Sequence, residues 1–225
     1  EQFSQCFAQW TQTVAEMIPG QVIALDGKTV RRSHDRLRGK GALHMVSAWA
    51  DGNHLVLGQV QVDGKSNEIT AIPELLRQLD IHDCIVTIDA MGCQREIAAQ
   101  IIAQGGDYVL AVKENQPRLA QRVAILFSHA ETHDGRQMER SEHVTIEKGH
   151  GRLEERRCLA LTTRDWAYYL DPEERWEGLR SIIRIEASRQ IDGQTSSSVR
   201  YYISSLAGEA AQAAGAVRAH WGVEN

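Results

Sequence analysis

Along residues 1–18 the apolar positions Phe3, Phe7, Trp10, Val14 and Met17 recur close to helical spacing, and Pro19-Gly20 stops them. The period then changes. Val22–Leu25 is an unbroken apolar run of strand length, closed by Asp26-Gly27. Residues 43–50 and 54–62 read as two strands about Asp51-Gly52, a hairpin signal, and Asp63-Gly64 closes the meander. Ile69, Ile72, Leu75, Leu76 and Leu79 predict an amphipathic helix over 67–79, with Asn67 as its N-cap. Cys84–Ile88 is a further apolar strand and stops at Asp89. A helix over 94–104 is halted by Gly105-Gly106, a strand follows at 108–112, and a helix runs from about Pro117 to Phe127.

Residues 129–205 break this rhythm. Short strands at 143–147, 153–161, 180–187 and 198–204 lie between polar stretches such as Asp192-Gly193 and the serines after it. No Gly/Ser or Pro linker introduces them, so they read as a β-rich insertion within the same domain. An alanine-rich helical stretch, 207–225, follows. Antiparallel strands followed by alternating strand and helix predict an α/β fold, a mixed sheet with helices on its faces. The expected organisation is a leading helix at 1–20, a core at 21–128, the insertion at 129–205 and a final helix at 206–225.

Composition narrows the function classes. The chain has 225 residues, 42% of them hydrophobic and 24% charged, which excludes general disorder. Its longest apolar runs fall far short of the roughly 18–20 residues of a membrane span. A formal net charge of −5 excludes a uniformly basic coat for nucleic acid, so polyanion contact must come from local patches or from bound cations. Cys6, Cys84, Cys93 and Cys158 form no C-x-x-C pair, and no secretory signal opens the chain, so the expected location is the cytoplasm. The pattern stops in mid-helix at Glu224-Asn225, as in a piece of a longer protein.

Asp26 and Asp89 share one setting, each at the carboxyl end of an apolar strand. Such ends open into the crevice where these sheets bind ligands, and on neighbouring strands both side chains could reach one metal ion. The plain alternative is that each merely starts a turn. A third group, Arg218-Ala-His220-Trp221-Gly-Val-Glu224-Asn225, stands out from its bland alanine-rich surroundings. His220 and Glu224 share a helical face; the alternative is a surface helix with a docked Trp.

These residues carry a resemblance. Ile-Ala-Leu-Asp-Gly-Lys-Thr, Val-Asp-Gly-Lys-Ser-Asn-Glu-Ile, Val-Thr-Ile-Asp-Ala-Met-Gly-Cys-Gln, Val-Lys-Glu-Asn-Gln-Pro, Gly-His-Gly-Arg-Leu-Glu-Glu-Arg and His-Trp-Gly-Val-Glu-Asn occur in that order. Together they resemble the H-repeat-associated insertion-sequence transposases, of the DDE class, from about Phe3 to Asn225. The resemblance implies a ribonuclease H-like mixed sheet flanked by helices, with the β-rich insertion before the last helix. It implies that Asp26, Asp89 and Glu224 are the acidic triad and the metal ligands, at separations of 89 − 26 = 63 and 224 − 89 = 135 residues. Related families carry Tyr and Arg seven and four residues before the Glu, where Val217 and His220 stand here.

The implied chemistry is in-line displacement at a DNA phosphodiester, assisted by two Mg²⁺ ions about 3.5–4 Å apart, with Mn²⁺ as a substitute. Hard divalent ions take carboxylate oxygens and need neither Cys nor His. The implied partners are insertion-sequence ends and target DNA, with a homodimer on paired ends, no membrane and no small-molecule cofactor, and the implied location is near the bacterial nucleoid. A basic patch directly follows Asp26: Lys28, Arg31, Arg32, Arg36, Arg38 and Lys40 against Asp35 alone. Phosphate contact is the functional reading, a solvated loop the other. Lys113, Asn115 and Gln116 follow a strand edge and are further candidates for DNA contact, as is Arg152 in its charged strand, where a solvated face is the other reading. His129 and His133 lack the Glu of a metalloprotease helix, and the tryptophans read as core or rim residues. The rival functions are a ribonuclease H-like nuclease that joins nothing, a catalytically inactive insertion-element remnant, and a small-molecule α/β enzyme.

Overall fold

A computed structural model of the protein describes residues 19–29, 44–52, 54–62, 68–132, 138–149, 151–164, 166–173 and 175–221. The strands are β1 (Val22–Thr29), β2 (His44–Ala50), β3 (Leu55–Val62), β4 (Ile85–Ile88), β5 (Asp107–Val112), β6 (Arg140–Gly149), β7 (Arg152–Thr162), β8 (Ser181–Ile191) and β9 (Gln194–Ser204). The helices are α1 (Glu68–Leu76), α2 (Arg95–Ala103), α3 (Pro117–Thr132), α4 (Ala167–Leu170) and α5 (Ala210–His220), with a 3₁₀ turn at Ala90–Gly92. The expected leading helix and the turn at Asp63-Gly64 lie outside the described residues.

The sheet is mixed, in the order β3-β2-β1-β4-β5-β9-β8-β7-β6, and with its helices it has the α/β, ribonuclease H-like character expected. The chain divides into two compact units, residues 1–108 with 218–225, and residues 109–217.

In the first unit β1 runs antiparallel to β2, β2 antiparallel to β3, and β1 parallel to β4. β4 is Ile-Val-Thr-Ile with every residue buried, the continuous run that a strand covered on both faces requires. The amphipathic spacing of α1 places Ala71, Ile72, Leu75 and Leu76 in the core, the last two fully buried. Each such leucine removed from water contributes roughly 1.5–3 kcal/mol. α2 ends where Gly105 takes a left-handed φ of 76°, and the Gly106 N–H donates back to Ile101 O at 3.1 Å.

The second unit is dominated by the meander β6–β9, antiparallel throughout. Near the core its strands are buried, at Cys158–Leu161, Ser181–Ile185 and Tyr202–Ser204, whereas Ile191–Val199 at the other end is exposed. α3 buries Leu119, Val123, Leu126 and Phe127, and Phe127 packs against Tyr201 at 5.7 Å.

Several elements differ in extent from expectation. β1 does not stop at Asp26-Gly27 but continues to Thr29, because β2 pairs with it through Asp26↔Ser47 to Thr29↔His44. α3 reaches Thr132, and β6–β9 are longer than their apolar segments, since cross-strand pairing carries polar residues along. α5 starts at Ala210 rather than near residue 207 and is described to His220, the residues after Trp221 lying outside the described ones.

Candidate active site

The parallel register of β1 with β4 is Val22↔Ile85, Ile23↔Val86, Ala24↔Thr87 and Leu25↔Ile88. The next residue in each chain segment is an aspartate, Asp26 in one and Asp89 in the other. The two carboxylates therefore lie on adjacent strands and open at the same end of the sheet, the carboxyl end of a parallel pair. Asp26 stays inside β1, its side chain 20% exposed, with Lys28 Nζ at 3.9 Å. Asp89 is extended (φ −69°, ψ −179°) and its Oδ1 accepts from the Met91 N–H at 3.0 Å, starting the 3₁₀ turn. Asp89 is thus a cap, as the turn reading held, and also one of the in-register acids.

A further acid, which its sequence pattern does not single out, lies near them. Glu68, at the start of α1, lays its carboxylate over the backbone of Gly27: a Cβ at residue 27 would come within 2.2 Å of Glu68 Oε1. Gly27 is needed for this close approach, not for a turn. Burial raises the Glu68 pKa above the ordinary carboxylate value, and the negative charges of Asp89 and Asp26 push it further, against a smaller lowering by His44. Glu68 lies in the motif Asp-Gly-Lys-Ser-Asn-Glu-Ile, and that is its signal in the sequence.

The donor chemistry suits a hard divalent cation. The acids near this strand end offer carboxylate oxygens, whereas Cys93, fully buried, is pushed up to about 12 by burial and by Asp89, so it stays a thiol. Among the described residues no set of three His, Cys, Asp or Glu converges closely enough to hold a metal by itself. Glu224, the third expected ligand, lies outside the described residues, as do Arg31 and Arg32. The last described turn of the chain still reaches β4, where His220 Nδ1 and Thr87 Oγ1 are hydrogen-bonded at 3.0 Å.

The other expected contacts belong to the second unit. Lys113, Asn115 and Gln116 form the turn between β5 and α3, closed by the Gln116 N–H to Lys113 O at 3.0 Å, with Lys113 and Asn115 exposed. Arg152 begins β7 and pairs with Glu154 at 3.5 Å. His129 packs against the Trp166 ring at 5.4 Å, and His133 lies outside the described residues. Cys84 and Cys158 are buried thiols, pushed up to about 11 and about 12 by burial. No helix among the described residues is long and apolar enough to cross a membrane.

Similarity to known proteins bears on this geometry. The H repeat-associated putative transposase YhhI of Escherichia coli K12 is 42% identical over 227 residues, covering 99% of this chain and 59% of its own length. The putative transposase YncI of Escherichia coli O157:H7 is 42% identical over 228 residues, covering 99% of this chain and 57% of its own. An uncharacterized protein in the dhlA 3′ region of Xanthobacter autotrophicus is 41% identical over 209 residues, covering 91% of this chain and 67% of its own. The chain thus spans less than three fifths of the length of the two Escherichia coli relatives. The Transposase DDE domain family matches residues 18–225, and those residues take in both in-register aspartates and the segment through Glu224. With nearly the whole sequence matched, the chain belongs to the Transposase DDE domain family.

Proposed function

We propose that this chain is the catalytic domain of a transposase that cleaves DNA strands at insertion-sequence ends and transfers them to target DNA. The observation that carries the reading is the register of β1 with β4, which presents Asp26 and Asp89 side by side at one sheet end. Asp26, Asp89 and Glu224 would hold Mg²⁺, or Mn²⁺ in its place. When bound, two such ions activate the attacking oxygen and offset charge on the leaving oxygen.

The protein's own groups do the positioning. Asp26 is held by its pairing with Ser47 of β2, one residue past the end of the pairing with β4, and Asp89 by its bond to the Met91 N–H, so both carboxylates are oriented before substrate arrives. Acids gathered this way repel a DNA backbone, so DNA enters only together with cations. Lys28, Arg31 and Arg32 directly follow Asp26 in the chain and would take phosphates; Lys113, Asn115, Gln116 and Arg152 offer further contacts on the second unit. A homodimer holding two ends is the assembly we propose.

The test is cleavage of DNA carrying the element's ends, and joining of pre-cut ends, by the full chain with Mg²⁺. Asp26→Asn, Asp89→Asn and Glu224→Gln should each lower cleavage by about 10³-fold or more, as the loss of several kcal/mol of metal stabilisation demands, with circular dichroism unchanged. Full activity in any one of them would remove that residue from the site. Cleavage without joining would leave a nuclease in place of a transposase.

A further inference from the structure

Thr87 is the one hydroxyl in an otherwise aliphatic strand, and it is 2% exposed. A hydroxyl buried at that depth costs stability unless a partner meets it. Its partner comes from 133 residues away: Thr87 Oγ1 and His220 Nδ1 lie 3.0 Å apart. His220 is the last residue of α5, half-buried, and its ring meets Trp221 edge-on at 5.9 Å. The preceding two turns of that helix are mostly alanine and bury Ala213, Ala216, Val217 and Ala219.

The position of Thr87 matters as much as its burial. Side chains along an extended chain alternate, so Thr87 and Asp89, two residues apart, lie on the same face. On β1 the residue paired with Thr87 is Ala24, and Asp26 stands two residues beyond it in the same phase. The hydrogen bond therefore ties the end of α5 to the face of the sheet that carries both aspartates.

We infer that Thr87 and His220 are positioning residues, and that their hydrogen bond holds the end of α5 against the sheet face that carries Asp26 and Asp89. This rests on the proposed metal site, in which Glu224, four residues after His220, is the third ligand.

The test titrates Mn²⁺ alone into the full chain by electron paramagnetic resonance, alongside cleavage as a function of Mg²⁺ concentration. Thr87→Val, isosteric but unable to bond, and His220→Gln, whose amide stands in for Nε2 rather than Nδ1, should each weaken Mn²⁺ binding by about tenfold or more, the usual cost of losing a group that orients a ligand. Both should recover cleavage at high Mg²⁺. Thr87→Ser and His220→Asn, which keep the bonding atoms in place, should stay within about twofold of wild type on the same scale. His220 is half-buried, so its variants remain informative if Thr87→Val fails to fold. Wild-type Mn²⁺ affinity in His220→Gln, with binding lost in Asp89→Asn and Glu224→Gln, would overturn the positioning role and leave the metal site standing. Unchanged binding in Asp89→Asn and Glu224→Gln would instead overturn the metal site itself.

Discussion

The two units use the same acidic side chains to opposite ends. In the first, Glu68 lies among other acids, and burial with the charges of Asp89 and Asp26 holds its proton on above the ordinary carboxylate range. In the second, Glu131 and Glu142 meet Arg184 and Arg157, and those hydrogen bonds hold both pKa values below it. Arg184 is buried, lies over the Phe127 ring at 5.1 Å, and also pairs with Glu186 at 3.0 Å. Carboxylates that are satisfied within the fold brace the meander. A carboxylate that is buried and also faces other acids, as Glu68 does, resists ionisation, a penalty that a nearby cation would lower. For these three glutamates the direction of the shift follows what each one faces, arginines in the second unit and burial with neighbouring acids in the first.

The largest stability effect should come from the second unit. Arg184→Ala removes a buried guanidinium and its packing on Phe127, and should cost about 2–3 kcal/mol, or roughly 4–12 °C in melting temperature by calorimetry. The figure sits below that of a fully buried pair because the Glu131 side chain is 51% exposed. A loss under about 0.5 kcal/mol would reduce the network to an ordinary surface pair and weaken the contrast.

Glu68→Gln should act the other way. Because the folded state holds the Glu68 proton more tightly than the unfolded chain, its contribution declines as pH rises from the ordinary carboxylate range through the raised folded value. The variant should lack that decline and gain on wild type toward neutral pH in denaturant titrations. A variant less stable than wild type at pH 7 would show that Glu68 is braced rather than crowded.

Gly27→Ala sharpens the same point without removing a charge. The added methyl collides with the Glu68 carboxylate, which is the free end of a flexible side chain, so Glu68 swings aside at a cost below about 1 kcal/mol. The titration of Glu68, followed by NMR, should relax toward the ordinary carboxylate value. An unmoved titration would mean that the acids interact by another geometry.

The smallest effect belongs to Glu142→Gln, which breaks an exposed bidentate contact with Arg157. Its cost at pH 7 should be under about 1 kcal/mol and shrink in high salt. The difference from wild type should vanish on acidification, since a lowered carboxylate loses its contribution as pH falls through the folded value.

Most elements were legible because hydrophobic period reports burial directly. The apolar run before Asp89, the hairpin about Asp51-Gly52 and the stop at Gly105-Gly106 lie where local chemistry puts them. Extents were less legible: Asp26-Gly27 has the residues of a turn, yet pairing with β2 carries β1 through them. Glu68 was hidden for a related reason, since a glutamate in a first helical turn looks like a favourable dipole contact whatever it faces.

Sequence by itself determined the α/β class, the strand-end aspartates and the order of motifs that marks the family, because these depend on residue type and spacing along one chain. Tertiary structure decided that β1 and β4 are parallel neighbours in a register that aligns Asp26 with Asp89, that Glu68 crosses Gly27 to join them, and that His220 reaches Thr87. Pairing register and contacts across 133 residues arise from strand hydrogen bonding and packing, and no periodicity along the chain encodes which distant partner satisfies a buried group.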